Sequence, residues 1–211
     1  MNRTDLDFLR ALTEAPSPSG SEVPAAELLR TRLKQTADSL ETDVMGSVHA
    51  TLKGTGTGAE TGPSVLIAGH IDELGMMVRY ISDEGYLSFA SVGGIDAAIL
   101  PGIRVSLYAT GEGTGGPAKP TLLRGVMGRK PIHLIEADER KNVTKMEKLF
   151  IDVGLSGEQA KKMIRIGDVA TYGVGFEEYG DGFAVARAFD DKIGAWAAAR
   201  VLEEVKKAGG A

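Results

Sequence analysis

Cysteine is absent from the sequence, so disulfides and thiolate metal sites are excluded, and any metal must be held by histidine and carboxylate. Histidine is scarce as well: His49, His70 and His133 are the whole supply. Basic charge is not in surplus. With 24 Lys and Arg against 29 Asp and Glu, the net charge of -5 offers nothing to neutralise a phosphate backbone, and no nucleic-acid partner is expected. No apolar run approaches the roughly 20 residues that span a bilayer, and the N-terminus MNRTDLDFLRALTEAP lacks the continuous apolar stretch of a secretory signal. These absences set the expectation of a soluble, cytoplasmic protein with no membrane partner. There is no internal repeat, and GEGTGG at 111–116 runs into PAKP rather than a helix, so it reads as a loop tip and not a phosphate cradle.

What is present is enough for a genuine core: 211 residues, 43% hydrophobic, one large domain or two small ones. Thr4 and Asp7 stand in capping-box-like spacing ahead of Leu6, Leu9 and Leu12, and Ser21 precedes Val23, Ala26, Leu29 and Leu33, which predicts two amphipathic helices around the turn APSPSGSE. The period then changes to two in VHATL, followed by the Gly-rich loop GTGTGAETG and the apolar run SVLIAGH, which reads as a buried strand ending at His70. From about Leu74 to Tyr172 short strand-like runs dominate: MMVRYI, YLSFASV, IRVSLYAT, TLLRGVM and KLFIDV, as in a small β-barrel or sandwich. A helix is predicted after Ser156, its N-cap. The chain closes with a long helix whose Ile193, Trp196, Ala197, Val201 and Val205 share one face. Helix, strand, β-module and helix again predict an α/β fold with an inserted domain: 1–73, then 74–172, then a return at 173–211.

His70 and Asp72, in GHIDE, follow a predicted strand at the end where open α/β sheets place ligands. His-x-Asp suits a metal, because imidazole binds Zn²⁺ and a carboxylate can fix its tautomer. A histidine capping a strand beside a solvated acidic turn gives the same spacing. Asp190 and Asp191 open the last helix, where aspartate is favoured for capping alone; a carboxylate at such a corner can also bridge two cations. The two clusters together point to a site more strongly than either does. His133 is expected to be structural, His49 to lie on a sheet surface, Glu177 and Glu178 in a solvated loop, and Glu203 and Glu204 on an exposed helix face.

APSPSGSE, Lys53-Gly54, VLIAGHIDELGMMV, FASVGG, GVMGRKPIHL, FIDVGLSGEQA, IGD and ARAFDDKIG occur in an order that resembles the family-42 metallopeptidases, the glutamyl, deblocking and tetrahedral aminopeptidases. The resemblance covers nearly the whole chain. It implies a zinc-peptidase-like α/β domain, here partial, with an inserted PDZ-like or barrel-like dimerisation domain. It further implies hydrolysis of N-terminal residues from peptides, two Zn or Co ions, and assembly of copies from dimer to dodecamer. On this reading His70 is a metal ligand, Asp190 bridges both metals, and Asp72 is the catalytic-site residue that orients His70. Lys192 stands where an arginine is usual, and Ser47 where asparagine is common. The family's Glu-Glu pair, general base and ligand, and its last acidic and histidine ligands have no counterpart before Ala211. The expectation is therefore an N-terminal portion with little activity alone. A non-catalytic assembly protein of the same descent is the rival reading; polysaccharide hydrolysis, suggested by relatives labelled endoglucanases, needs two carboxylates flanking a sugar that nothing here marks.

Overall fold

The computed structural model describes residues 2–56, 58, 61–136 and 141–209, so the middle of the predicted Gly-rich loop and the last two residues lie outside it. The chain forms two compact units, one of residues 1–73 with 175–211 and one of residues 74–174.

In the second unit six strands close a barrel: β3 (Gly75–Ile81), β4 (Leu87–Val92), β5 (Arg104–Ala109), β6 (Thr121–Arg129), β7 (Leu149–Asp152) and β8 (Val169–Tyr172), in the order β3-β4-β7-β6-β5-β8. Closure removes the edges that an open sheet would leave unpaired. Alternation decides what fills it: Met76, Val78, Val105, Leu107, Met127 and Ile151 point inward and are almost wholly buried, while Met77, Tyr80, Leu122 and Val126 face out. The short helix α3 (Gly157–Met163) begins at the predicted N-cap Ser156, which forms a capping box with Gln159, and adds Ala160 and Ile164 to the barrel core. Asp168 is buried at the start of β8 and accepts from the Thr110 hydroxyl and from the amides of Thr110 and Arg165. His133, expected to be structural, lies exposed in a short 3₁₀ turn at 132–134, away from the packed interior.

The first unit packs α1 (Arg3–Glu14), α2 (Val23–Leu33) and α4 (Phe189–Lys207) around Phe8, Leu12, Ala25, Leu29, Ala195 and Ala199, with the hairpins β1 (Ser39–Thr42) with β2 (Val48–Thr51) and β9 (Glu177–Tyr179) with β10 (Phe183–Val185). The cap of α1 is Asn2, whose Oδ1 accepts from Asp5 N at 2.9 Å, and not the Thr4 to Asp7 pair. Glu22, without a side-chain cap bond, begins α2 in place of Ser21. His49 sits on β2, exposed and 3.3 Å from Asp43. Glu177 and Glu178 belong to β9 rather than to a loop, and Glu178 pairs with Arg10 at 2.7 Å.

Two expectations fail for a common reason, that burial is decided by partners. SVLIAGH forms no strand: no described strand lies beside it to complete a ladder, and Val65, Leu66 and Ile67 are 84%, 89% and 50% exposed. In α4 the buried stripe is Lys192, Ala195, Ala199 and Glu203, while Ile193 and Val201 of the predicted apolar face lie open. The small Ala195 and Ala199 let α1 and α2 approach, and a charge network fixes the rotation of α4. Asp5 on α1 and Glu203 on α4 share Arg32 on α2 and Arg200 on α4, and Trp196 Nε1 donates to Asp5 O at 3.1 Å. Glu203 is thus buried, whereas Glu204 stays at the surface with Arg200 and Lys207.

Burial pushes the Glu203 carboxyl up, but hydrogen bonds from Arg32 and Arg200 outweigh it and leave the pKa below the ordinary 4.5. The stability this adds is present above pH 4.5 and is lost as pH falls through the lowered folded value. Glu203→Gln should cost about 2 kcal/mol at pH 7, less than the ~3–5 of a fully dry pair because both arginines are partly wet. Urea unfolding across pH should show that difference shrinking below pH 4.5; a difference independent of pH would rule out the charge as its cause.

Candidate functional site

Residues 69–73 run extended, and in an extended chain alternate side chains face opposite ways. His70 and Asp72 face outward, with side chains 55% and 38% exposed. Ile71 and Glu73 face inward, Ile71 against the helical core and Glu73 with only 2% of its side chain exposed. Gly69 makes this close approach possible: a Cβ there would lie 2.3 Å from Ala195 N on α4. The segment is joined to the N-terminal turn by Glu73 N donating to Ser17 O at 2.9 Å and by a bridge between Pro18 and Glu73.

Asp190 arrives from the other side. Ala188 is in the left-handed region at φ 61°, and because Asp190 and Asp191 have non-helical angles, regular helix begins only after them. Asp191 accepts from Gly194 N at 3.1 Å, a capping bond for that helix. Asp190 is left free of capping, its side chain 97% exposed. Its Oδ1 lies 3.1 Å from His70 Nε2, while His70 Nδ1 is 2.8 Å from Asp72 Oδ1. Ser19 closes the row, its hydroxyl donating to Asp72 Oδ2 at 2.5 Å.

The electrostatics follow from these contacts. Burial pulls the His70 imidazole down, yet the charge of Asp72 and the bonds to Asp190 and Asp72 outweigh it and leave the pKa above 6.5. The Ser19 hydroxyl, opposed by burial and aided by the His70 charge, holds the Asp72 carboxyl below 3.8. Beneath the row lies a dry ion cluster that sequence reasoning missed. Arg187 donates from Nη1 to both oxygens of Glu73, and Lys192, wholly buried, sits with Nζ 3.6 Å from Glu73 Oε1 and donates to Ala15 O at 2.6 Å. Burial lowers the Lys192 pKa to about 8 against the pull of Glu73.

One imidazole nitrogen and one carboxylate oxygen converging at an exposed point, with the imidazole oriented by a second carboxylate, is a donor set that suits a divalent cation. Among the described residues no third His, Asp or Glu completes a cluster of metal-binding size. The sequence profile described as M42 glutamyl aminopeptidase matches residues 46–210. A putative aminopeptidase of Acetivibrio thermocellus is 30% identical over 202 residues, 95% of this chain and 54% of its own length. The structure of a TET aminopeptidase from a marine-sediment archaeon of the Thaumarchaeota superposes with a TM-score of 0.87 at 32% identity, over 99% of this chain and 55% of its own. The Pyrococcus horikoshii TET1 peptidase, described as assembling into a tetrahedron or a large octahedral shell, gives 0.76 at 29% identity over 96% of this chain and 56% of its own. The chain spans about half the length of the curated relatives it matches.

Gly69→Ala tests how tightly the segment is held. Its methyl group must displace the α4 backbone, so stability should fall by about 1–3 kcal/mol, with His70 and Ala195 amide resonances shifting together. An unchanged melting temperature would show that residues 69–73 are not packed on α4.

Proposed function

The chain belongs to the M42 glutamyl aminopeptidase family, and from that premise we propose that it serves a dinuclear metal-dependent aminopeptidase releasing N-terminal residues from peptides. The observation that carries the reading is the meeting of His70 and Asp190, 120 residues apart, at 3.1 Å on a water-facing surface. A merely capped strand and a merely capped helix need no such meeting. We assign His70 Nε2 and Asp190 as the residues that would hold the metals, and we take Zn or Co, as the family resemblance implies, nitrogen and oxygen donors being compatible with both. Asp72 accepts from Nδ1, which fixes the tautomer that leaves the Nε2 lone pair free. Ser19 in turn restrains Asp72. Bound divalent cations supply Lewis-acid polarisation of the scissile carbonyl and activation of water at neutral pH.

The helical unit is on this reading part of a zinc-peptidase-like α/β domain, and the barrel is a PDZ-like dimerisation domain. Exposed Met77, Tyr80, Leu122 and Val126 on the barrel's outer face suit contact between copies, in line with the shells described for the Pyrococcus horikoshii relative. A chain without cysteine is suited to a reducing cytoplasm, where we place it.

His70→Ala and Asp190→Asn should each weaken Zn²⁺ binding roughly tenfold or more by calorimetry, since each removes a donor. Undiminished Zn²⁺ affinity in both variants would overturn the ligand assignment.

A further inference from the structure

We infer that Glu73 is a positioning residue of this centre, holding Asp190 in register with His70 through Arg187 and Lys192. The inference rests on the reading of His70 and Asp190 as ligands. Asp190 has almost nothing of its own to fix it: its side chain is 97% exposed, its backbone is non-helical, and its side-chain partner among the described residues is His70. Its position is therefore set by its flanks. Arg187, three residues before, and Lys192, two residues after, both turn inward to the same carboxylate. That carboxylate lies on the strip that carries His70 and Asp72 on its other side. Glu73 thus brackets Asp190 from both directions and ties the bracket to the segment presenting the imidazole.

The N-terminal turn seals the arrangement. Ser17 N donates to Glu73 Oε1 at 3.0 Å, Arg187 Nη2 donates to Glu14 O, and Lys192 Nζ donates to Ala15 O. Side chains of Glu73, Arg187 and Lys192 are 2%, 7% and 0% exposed, and the bonds from Ser17 N and Lys192 Nζ are buried. A purely structural clamp would serve equally well anywhere in the unit. This one joins the two segments that deliver the ligands, at residues immediately beside them.

The test follows the His70 ring protons of the 211-residue chain by NMR during Zn²⁺ titration; with three histidines the signals are assigned by substitution. Glu73→Gln keeps the shape and removes the charge. Because it leaves two cations buried, Glu73→Gln with Lys192→Met is run beside it, which restores the net charge of the cluster without restoring the bracket. Loss of such supporting partners typically costs about 10–100-fold in metal affinity, and that loss is expected in both variants, or in the double variant alone if the single one is unfolded by circular dichroism. Arg187→Lys, which keeps the charge but loses the fork, should fall between them and the wild type. Wild-type Zn²⁺ affinity at His70 in a folded Glu73 variant, with only the melting temperature lowered, would overturn the positioning role and leave the ligand reading intact. Zn²⁺ affinity by calorimetry left unchanged by His70→Ala would overturn both.

Discussion

Three ionised side chains withdrawn from water at one point constrain everything around them in the helical unit. Moving a carboxylate, a guanidinium and an ammonium into a dry interior costs several kcal/mol per ion, and it is tolerated only where every charge and proton finds a partner. Glu73 meets that demand with a forked bond from Arg187, an amide of Ser17 and the nearby Lys192. Lys192, lowered to about 8 by burial, is still protonated at pH 7 and has Ala15 O to receive its proton. The requirement leaves little freedom: residues 14–17, 70–73 and 187–192, far apart in sequence, can meet the demand in one mutual arrangement. A second network, Asp5 and Glu203 with Arg32 and Arg200, does the same for the three helices and fixes which side of α4 is buried.

The barrel solves its problem differently. Its strands are contiguous in sequence, closure satisfies the ladder, and alternation fills the interior with Met76, Leu107, Met127 and Ile151. It needs no buried ion pair to specify its register, because a slip of one residue would turn every inward side chain out. The helical unit has no closed sheet to do this, and the apolar run at 65–67 stays exposed. Its order rests instead on a few long-range polar contacts, which are directional where apolar packing is not.

What was legible in the sequence follows the same division. Five barrel strands and the Ser156 cap of α3 announce themselves through alternation and turn chemistry, which are local. The strands β1 and β8 do not announce themselves, whereas the equally short β2 and β7 do, because they lie in the longer runs VHATL and KLFIDV. The face of α4 was misjudged because apolar periodicity favoured Ile193 and Val201, whereas buried Lys192 and Glu203 are polar and owe their burial to partners about 120 or more residues away. Likewise His70, Asp72 and Asp190 could be marked as candidates by residue type and spacing, the roles proposed for them coming from the family resemblance. Glu73, Arg187, Ser19 and Lys192 could not, since a charged residue reads as solvated until its counter-ion is known. Lys192, at a position where the resembled family usually has arginine, is the most deeply buried charge among the described residues.

The two sides of residues 69–73 show why the missed residues and the legible ones belong to one design. A site residue must be exposed to meet a ligand, and exposure removes the packing that would hold it still. Alternation along an extended segment resolves the conflict, because adjacent residues face opposite ways: Ile71 and Glu73 are fastened inside, so His70 and Asp72 can stand in water without wandering. The 187–192 corner repeats the solution without a strand, using inward Arg187 and Lys192 to fasten an outward Asp190. Rigidity at the exposed carboxylates is thus imported from the dry side of the same backbone. The ammonium and guanidinium that provide it also leave one positive charge in excess over Glu73. That excess lies within reach of Asp72, whose negative charge in turn favours the protonated Lys192 against its burial.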